Sequence, residues 1–90
     1  SINYNITNIL ELENNIQIYP NPSTGNITII GNKIKTISIY NTLGNQLHKV
    51  EKNNININSR NIDLSNLARG IYFIQIEKNN RILNYQIILE

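Results

Sequence analysis

The sequence predicts an all-β domain, because apolar residues alternate with polar ones along most of the chain and turn-forming residues recur at regular intervals. Ninety residues suffice for one small hydrophobic core but not for two. Hydrophobic residues make up 40% of the chain and charged residues 16%, a composition that is typical of folded domains. We therefore expect one antiparallel β-sandwich built from short strands.

Each predicted strand is marked by apolar residues that lie two positions apart, except for one polar strand. In chain order the strands contain Ile16 and Ile18, Ile27 and Ile29, Ile37 and Ile39, His48, Ile55 and Ile57, Tyr72 to Ile76, and Leu83 to Leu89. Turn signals rich in asparagine, glycine or proline separate them, at residues 20–25, 31–33, 41–45, 52–54 and 78–81. Seven or eight strands about ten residues apart favour an immunoglobulin-like antiparallel β-sandwich.

The first residues of the chain do not share this alternation. We expect residues 1–14 to be a linker and residues 15–90 to form the sandwich, although a frayed helix or an added edge strand would also fit the linker sequence. The chain contains no methionine, so it does not begin with an initiator residue. The simplest expectation is a module of a longer polypeptide.

Charge and cysteine content exclude several classes of function. The net charge is +2, and the eight lysines and arginines are scattered, so no basic stripe predicts nucleic-acid binding. The absence of cysteine excludes disulfides and thiolate catalysis. No apolar run approaches the roughly 18–20 residues of a membrane helix, and we expect no integral membrane segment.

Catalytic and metal-binding chemistry has little support in the sequence. His48 is the only histidine, and a metal site needs three or four convergent ligands. Asp63 and Ser65 have no partnered histidine, while Glu11 and Glu13 lie in the predicted linker, where no burial would tune their acidity. We expect no catalytic residue, no cofactor and no metal, and we expect His48 to face solvent.

Residues 62–76 form the most informative motif, a polar corner between two apolar strands. The Asp63 carboxylate is expected to accept hydrogen bonds from amides of residues 65–67, and a short helical turn is expected to carry Leu67 into the core. Gly70 then allows the chain to reverse. Tyr72 opens the next strand, as the tyrosine of sandwich corners does.

Two further motifs combine structure-forming residues. Pro20 and Pro22 flank Asn21, so they end the first strand, and Gly25 allows the second strand to start. At residues 43–44 we expect a hairpin corner in which the leucine turns inward and the glycine takes a positive φ angle.

These three motifs, in this order and spacing, resemble the type A C-terminal sorting domain of the Bacteroidetes type IX secretion system, also called the Por secretion system. The resemblance covers roughly residues 16–90. The positions that carry it are Pro20, Asn21, Pro22, Gly25, Leu43, Gly44, Asp63, Leu64, Leu67, Gly70 and Tyr72.

The resemblance implies a secretion signal at the end of a cargo protein rather than an enzyme. It implies export to the periplasm, recognition by the outer-membrane translocon, and removal by a sortase-like cysteine protease at the cell surface. Cleavage is expected in the segment before Ile16, because a protease needs accessible backbone.

The last strand departs from the basic ending that is common in this family, since it is neutral and finishes in glutamate. We therefore expect recognition of an apolar strand rather than of charge. An exposed final strand is suited to pairing with a partner's sheet. The residues proposed for translocon recognition are Tyr85, Ile87, Ile88 and Leu89.

An immunoglobulin-like adhesion or spacer module that binds a glycan or protein is the alternative function. Such a module would bind through the loops at residues 41–45 and 52–59. For Tyr4, Tyr19, Tyr40 and Tyr85 we expect packing in the core or on the sheet surface, with a carbohydrate-stacking strip as the alternative. Fold alone does not separate the two functions. The sorting function requires that Glu90 end the full-length protein.

Overall fold

Seven β-strands form two sheets in the computed structural model, which describes residues 16–51, 57–78 and 81–90. The strands are β1 (Gln17–Tyr19), β2 (Asn26–Ile34), β3 (Thr36–Tyr40), β4 (Gln46–Glu51), β5 (Ile57–Asp63), β6 (Gly70–Lys78) and β7 (Arg81–Leu89). The order is β1-β2-β5 in one sheet and β4-β3-β6-β7 in the other. Every strand pair within the sheets is antiparallel, and the described residues contain no helix. The predicted all-β sandwich is confirmed.

The chain changes sheets three times, between β2 and β3, between β4 and β5, and between β5 and β6. The fourth strand pairs with β3, so it lies on the four-stranded sheet. In an immunoglobulin constant domain the fourth strand lies instead in the sheet formed by the first, second and fifth strands. The molecule therefore combines a seven-strand immunoglobulin-like plan with a switched fourth strand.

Isoleucine dominates the core between the two sheets. Among the described residues, ten of the fourteen buried hydrophobic side chains are isoleucines, and the branched side chain packs well on a pleated sheet surface. Across the four-stranded sheet Ile39 lies opposite Ile74, and Ile37 lies opposite Ile76. The alternation of apolar residues in the sequence thus corresponds to the inward face of each sheet.

The predicted turn at residues 31–33 is wrong, because β2 continues through these residues to Ile34. The pairing of β2 with β5 shifts register between Ile30 and Ile34, and Lys33 has a φ angle of 58°. This bulge changes the phase of the strand, so that Ile34 points into the core although Ile29 lies an odd number of positions away. Only Lys35 then separates β2 from β3.

Several sequence predictions lie outside the described residues. The linker predicted at residues 1–14 belongs to these, with Tyr4 and the Glu11–Glu13 pair. So do Ile55, the turn at residues 52–54 and the two central residues, 79 and 80, of the turn at 78–81.

The strand directions bring three connections to the same end of the sandwich. Residues 20–25 join β1 to β2, residues 41–45 join β3 to β4, and residues 64–69 join β5 to β6. The register places Asn26 opposite Asp63, and Gly70 opposite Leu89, at this end. We call these three connections, together with Glu90, the motif end.

Candidate functional site

The motif end gathers residues that are up to about 70 positions apart in sequence, and hydrogen bonds hold them together. Residues 20–25 lie at its centre. They contact the last strand on one side and the corner at residues 64–69 on the other. The loop at residues 20–25 and the corner therefore form one structural unit with the last strand, and the turn at residues 41–45 lies at the same end of the sandwich.

The Asn21 side chain binds the outer edge of β7. Its Nδ2 donates to the Gln86 carbonyl at 3.0 Å, and its Oδ1 accepts from the Ile88 amide at 3.1 Å. Proline has no backbone N–H, so Pro20 and Pro22 cannot supply the donors of a pairing strand. The carboxamide of the residue between them instead offers one donor and one acceptor, as a peptide group would.

Ser23 continues this edge contact with its main chain. Its amide donates to the Ile88 carbonyl at 2.9 Å, and its carbonyl accepts from the Glu90 amide at 2.8 Å. The buried Ser23 hydroxyl donates to the Asn26 carbonyl at 2.8 Å and accepts from the Gly25 amide at 3.0 Å. The edge of β7 from residue 86 to residue 90 is therefore occupied by the chain's own loop.

Gly25 joins the loop to the corner. Its carbonyl accepts from the Leu64 amide at 2.7 Å, and its φ angle is 140°. A Cβ atom at this position would lie 2.9 Å from the Ser65 Cα, closer than van der Waals contact permits. Both the backbone conformation and the close approach thus require glycine.

The Asp63 carboxylate organises the first turn of the corner. Its Oδ1 accepts from the Ser65 amide at 2.9 Å. Hydrogen bonding by the Ser65 hydroxyl, and then by the Ser65 amide, lowers the pKa of this carboxyl below its usual value, against a small opposing effect of desolvation. Asp63 therefore acts as a turn acceptor, as its spacing predicts.

Tyr72 fastens the far side of the same corner. Its hydroxyl donates to the Ala68 carbonyl, four residues upstream, while its ring is buried. This is the arrangement of a tyrosine corner. Leu64 is buried and Leu67 packs against the core, but residues 64–67 form a turn and not the expected helical turn.

The turn at residues 41–45 is closed by one asparagine. The Asn41 Oδ1 accepts from the Leu43 amide at 3.0 Å and from the Asn45 amide at 2.9 Å. Its carbonyl accepts from the Gly44 amide, and its own amide donates to the Asn45 carbonyl, both at 3.1 Å. Gly44 has the expected positive φ angle, 86°.

The expectation that Leu43 turns inward is wrong. Its side chain is 84% exposed. The Asn41 carboxamide occupies the inside of the turn, so the residue at position 43 can only project outward. Sequence reasoning missed Asn41, although asparagine at the start of a turn is a known signal for this geometry.

The last strand divides its side chains between the core and the surface. Ile87 and Leu89 are buried at 0% and 4% exposure, Tyr85 is half-buried, and Ile88 is 40% exposed. Burial raises the pKa of the Tyr85 hydroxyl. A partner that meets the folded domain can contact Ile88 and part of Tyr85, whereas Ile87 and Leu89 already contact the core. Pairing along residues 86–90 would require displacement of the loop that holds this edge.

Candidate catalytic residues stay apart in the described structure. His48 lies exposed on β4, as predicted. Within residues 16–51, 57–78 and 81–90 no three histidine, cysteine, aspartate or glutamate residues converge on a possible metal site. The same part of the chain contains no helix that could cross a membrane.

Comparison with known proteins assigns the sandwich to a described family. Residues 17–90 match the family described as the secretion system C-terminal sorting domain. The chain is also 33% identical over 82 residues to an endo-acting ulvan lyase of Formosa agariphila. That alignment covers 88% of this chain but only 16% of the lyase, so the chain spans a small part of its relative's length.

Proposed function

This chain belongs to the secretion system C-terminal sorting domain family, and from that membership we propose how it works as a secretion signal. It is a sorting domain of type IX secretion cargo. We propose that the outer-membrane translocon recognises the folded motif end. A cargo domain would precede residue 1, pass through the periplasm, and reach the cell surface or the medium with the signal attached.

One observation carries this proposal: residues 20–25 join the corner and the last strand into one structure. Gly25 contacts the corner through Leu64 and Ser65, while Asn21 and Ser23 contact β7. A translocon that recognised this end would meet all three motifs only when the sandwich is folded. β1 runs toward the motif end, since its last residue, Tyr19, pairs with Thr28 near the start of β2.

Processing is the second part of the proposal. We propose that a sortase-like protease cleaves within residues 1–14, the predicted linker, after export. Cleavage there would release the cargo and leave the sandwich intact, because all seven strands of the described residues begin at Gln17 or later. Edman sequencing of the released sandwich would identify its first residue and so locate the cleaved bond. A released fragment that began inside a strand would contradict this position.

The last strand has a divided role in this proposal. Ile88, with the exposed part of Tyr85, would contact the translocon, and buried Ile87 and Leu89 would keep the strand in place. A change at Ile88 should therefore affect recognition more than folding. A change at Ile87 should affect both.

The test fuses residues 1–90 to a periplasmic reporter in a host that has the type IX machinery. We expect the reporter to reach the surface or the medium, and to stay in the periplasm when the domain is omitted or the host lacks the translocon. A matched fusion with Ile88→Lys should keep its fold and lose most export. Retention of the parent fusion would refute the sorting function in this host, whereas full export of the Ile88→Lys fusion would refute only the role of the last strand.

A further inference from the structure

Exposed large apolar side chains are concentrated in the half of the sandwich that carries the motif end. Among the described residues seven such side chains are exposed, and only Ile82 lies near the opposite end. The other six lie in the motif-end half of the sandwich: Tyr19, Leu43, Leu47, Ile71, Phe73 and Ile88. Leu43 is the most exposed of all, at 84%.

The turn that carries Leu43 is fixed before any partner arrives. Four hydrogen bonds close residues 41–45, two of them to the Asn41 side chain. A Cβ atom built on Gly44 would meet no atom of a residue beyond its chain neighbours within 4 Å, so the turn faces open space at Gly44. Because the backbone is already ordered, binding through this turn would cost little conformational entropy.

The Leu43 side chain contributes almost nothing to the core. A leucine gains its hydrophobic stabilisation only when its surface is removed from water, and Leu43 leaves most of that surface in water. The fold requires Asn41 and Gly44 to close the turn, but it sets no requirement for a large apolar residue at position 43. A rigid turn that presents one unburied leucine is suited to insertion into a partner's pocket.

We propose that Leu43 is a direct contact of this domain with the secretion machinery, and that it enters an apolar pocket on a protein of that machinery. This inference rests on the proposed sorting function. Within the motif end it assigns one side chain, Leu43, as a contact, and it assigns the chemistry of the partner's site.

The absence of charged residues in the turn favours a pocket on a protein as the site that receives Leu43. Residues 40–47 include no charged side chain, so they offer no cation for a lipid headgroup and no anion for a basic surface. At the base of the turn, where β3 ends, Tyr40 pairs with Phe73. An apolar pocket with polar groups at its rim would complement a leucine that is surrounded by amide and hydroxyl side chains.

Burial of one leucine side chain in such a pocket is worth roughly tenfold to one hundredfold in affinity. The test compares Leu43→Ser with Ile82→Ser in the reporter fusion. Ile82 is a matched control, since it is a 60% exposed apolar residue near the opposite end. We expect Leu43→Ser to slow export at least about tenfold. The separate variants Leu43→Met and Ile82→Ser should be exported at the parent's rate.

Folding and lipid binding are measured on the same purified fusions. Thermal unfolding of the Leu43→Ser fusion should match that of the parent, because the side chain lies outside the core. Export of Leu43→Ser at the parent's rate would overturn the inference while the sorting function stood. Unfolding of that variant, or co-sedimentation of the fusion with phospholipid vesicles that depends on Leu43, would also overturn it. Retention of the parent fusion itself would overturn both proposals.

Discussion

Single asparagine side chains replace backbone interactions at two places in the motif end. Asn21 acts as a peptide group toward the edge of β7, and Asn41 fills the inside of the turn at residues 41–45. At both positions the side chain supplies a hydrogen-bonding group that the neighbouring backbone does not provide. Beside Asn21 the prolines lack a donor, and in the turn the amides of Leu43 and Asn45 need an acceptor.

Replacement of Asn21 by alanine removes one donor and one acceptor from the edge of β7. Each lost hydrogen bond lowers the free energy of unfolding by about 0.5–1.5 kcal/mol. Because this edge is exposed, we expect the total for the two bonds to lie near the lower end of the summed range. We expect Asn21→Ala to lose about 1–2 kcal/mol in denaturant unfolding, and the Ile88 amide to exchange faster with solvent.

Asn66→Ala is the matched control, since Asn66 is exposed in another connection of the motif end. Its stability should change by less than about 0.5 kcal/mol. Unchanged exchange at the Ile88 amide in Asn21→Ala would show that the loop does not hold the last strand in solution.

Residue identities alone did not predict these contacts. Asn21 was recognised as part of a motif, but its partners Gln86 and Ile88 are more than 60 positions away, and no local pattern indicates such a distance. The direction of Leu43 was predicted wrongly because an apolar residue beside a turn usually faces the core. Here the carboxamide of Asn41 takes the interior position.

At the scale of elements, the corner between β5 and β6 determines how the two sheets are joined. Asp63 closes its first turn, and Tyr72 fastens its last residues through the Ala68 carbonyl. The chain changes sheets here, so the corner fixes the position of β6 against the core. The loop at residues 20–25 then packs against it through Gly25.

Removal of the Tyr72 hydroxyl should destabilise this corner without leaving a cavity in the core. Tyr72→Phe keeps the buried ring and leaves the Ala68 carbonyl without its donor, so we expect a loss of about 1–3 kcal/mol in thermal or denaturant unfolding. For a domain of this size each 1 kcal/mol lowers the melting temperature by roughly 4–8 °C.

Tyr40→Phe supplies the control, because the Tyr40 hydroxyl makes only long contacts of 3.3 Å and 3.4 Å with Gln46 and Gln75. Its melting temperature should stay close to that of the parent. Equal losses in the two variants would show that the corner hydrogen bond has no special weight.

Most elements were predictable because the sandwich core imposes a period of two on both sheets. The series from Tyr72 to Ile76 predicted the inward face of β6, and Leu83 to Leu89 predicted the extent of β7. The prediction failed at residues 31–33, where glycine and asparagine suggested a turn. The bulge there serves to bring Ile34 into the core, a tertiary requirement that local turn chemistry does not reveal.

At the scale of the whole molecule, the strand directions collect all three motifs at one end. The sequence predicted the sandwich and the order of the motifs, but not that residues 20–25 would bind both the corner and the last strand. That arrangement depends on contacts between the sheets, which a single sequence does not display. It also makes the signal a property of the folded domain, since unfolding would separate the motifs.

The most direct measurement of this claim is the exported fraction of a reporter fused to residues 1–90, with and without an intact core. Ile74 is fully buried between Ile39 and Tyr85 on the neighbouring strands, so Ile74→Asp places a charge in the core and should unfold the sandwich. Ser59→Asp adds the same charge at an exposed position of β5 and serves as the control. We predict that the parent and Ser59→Asp fusions reach the surface or the medium and that Ile74→Asp stays in the periplasm. Export of an unfolded Ile74→Asp fusion at the parent's level would contradict the account.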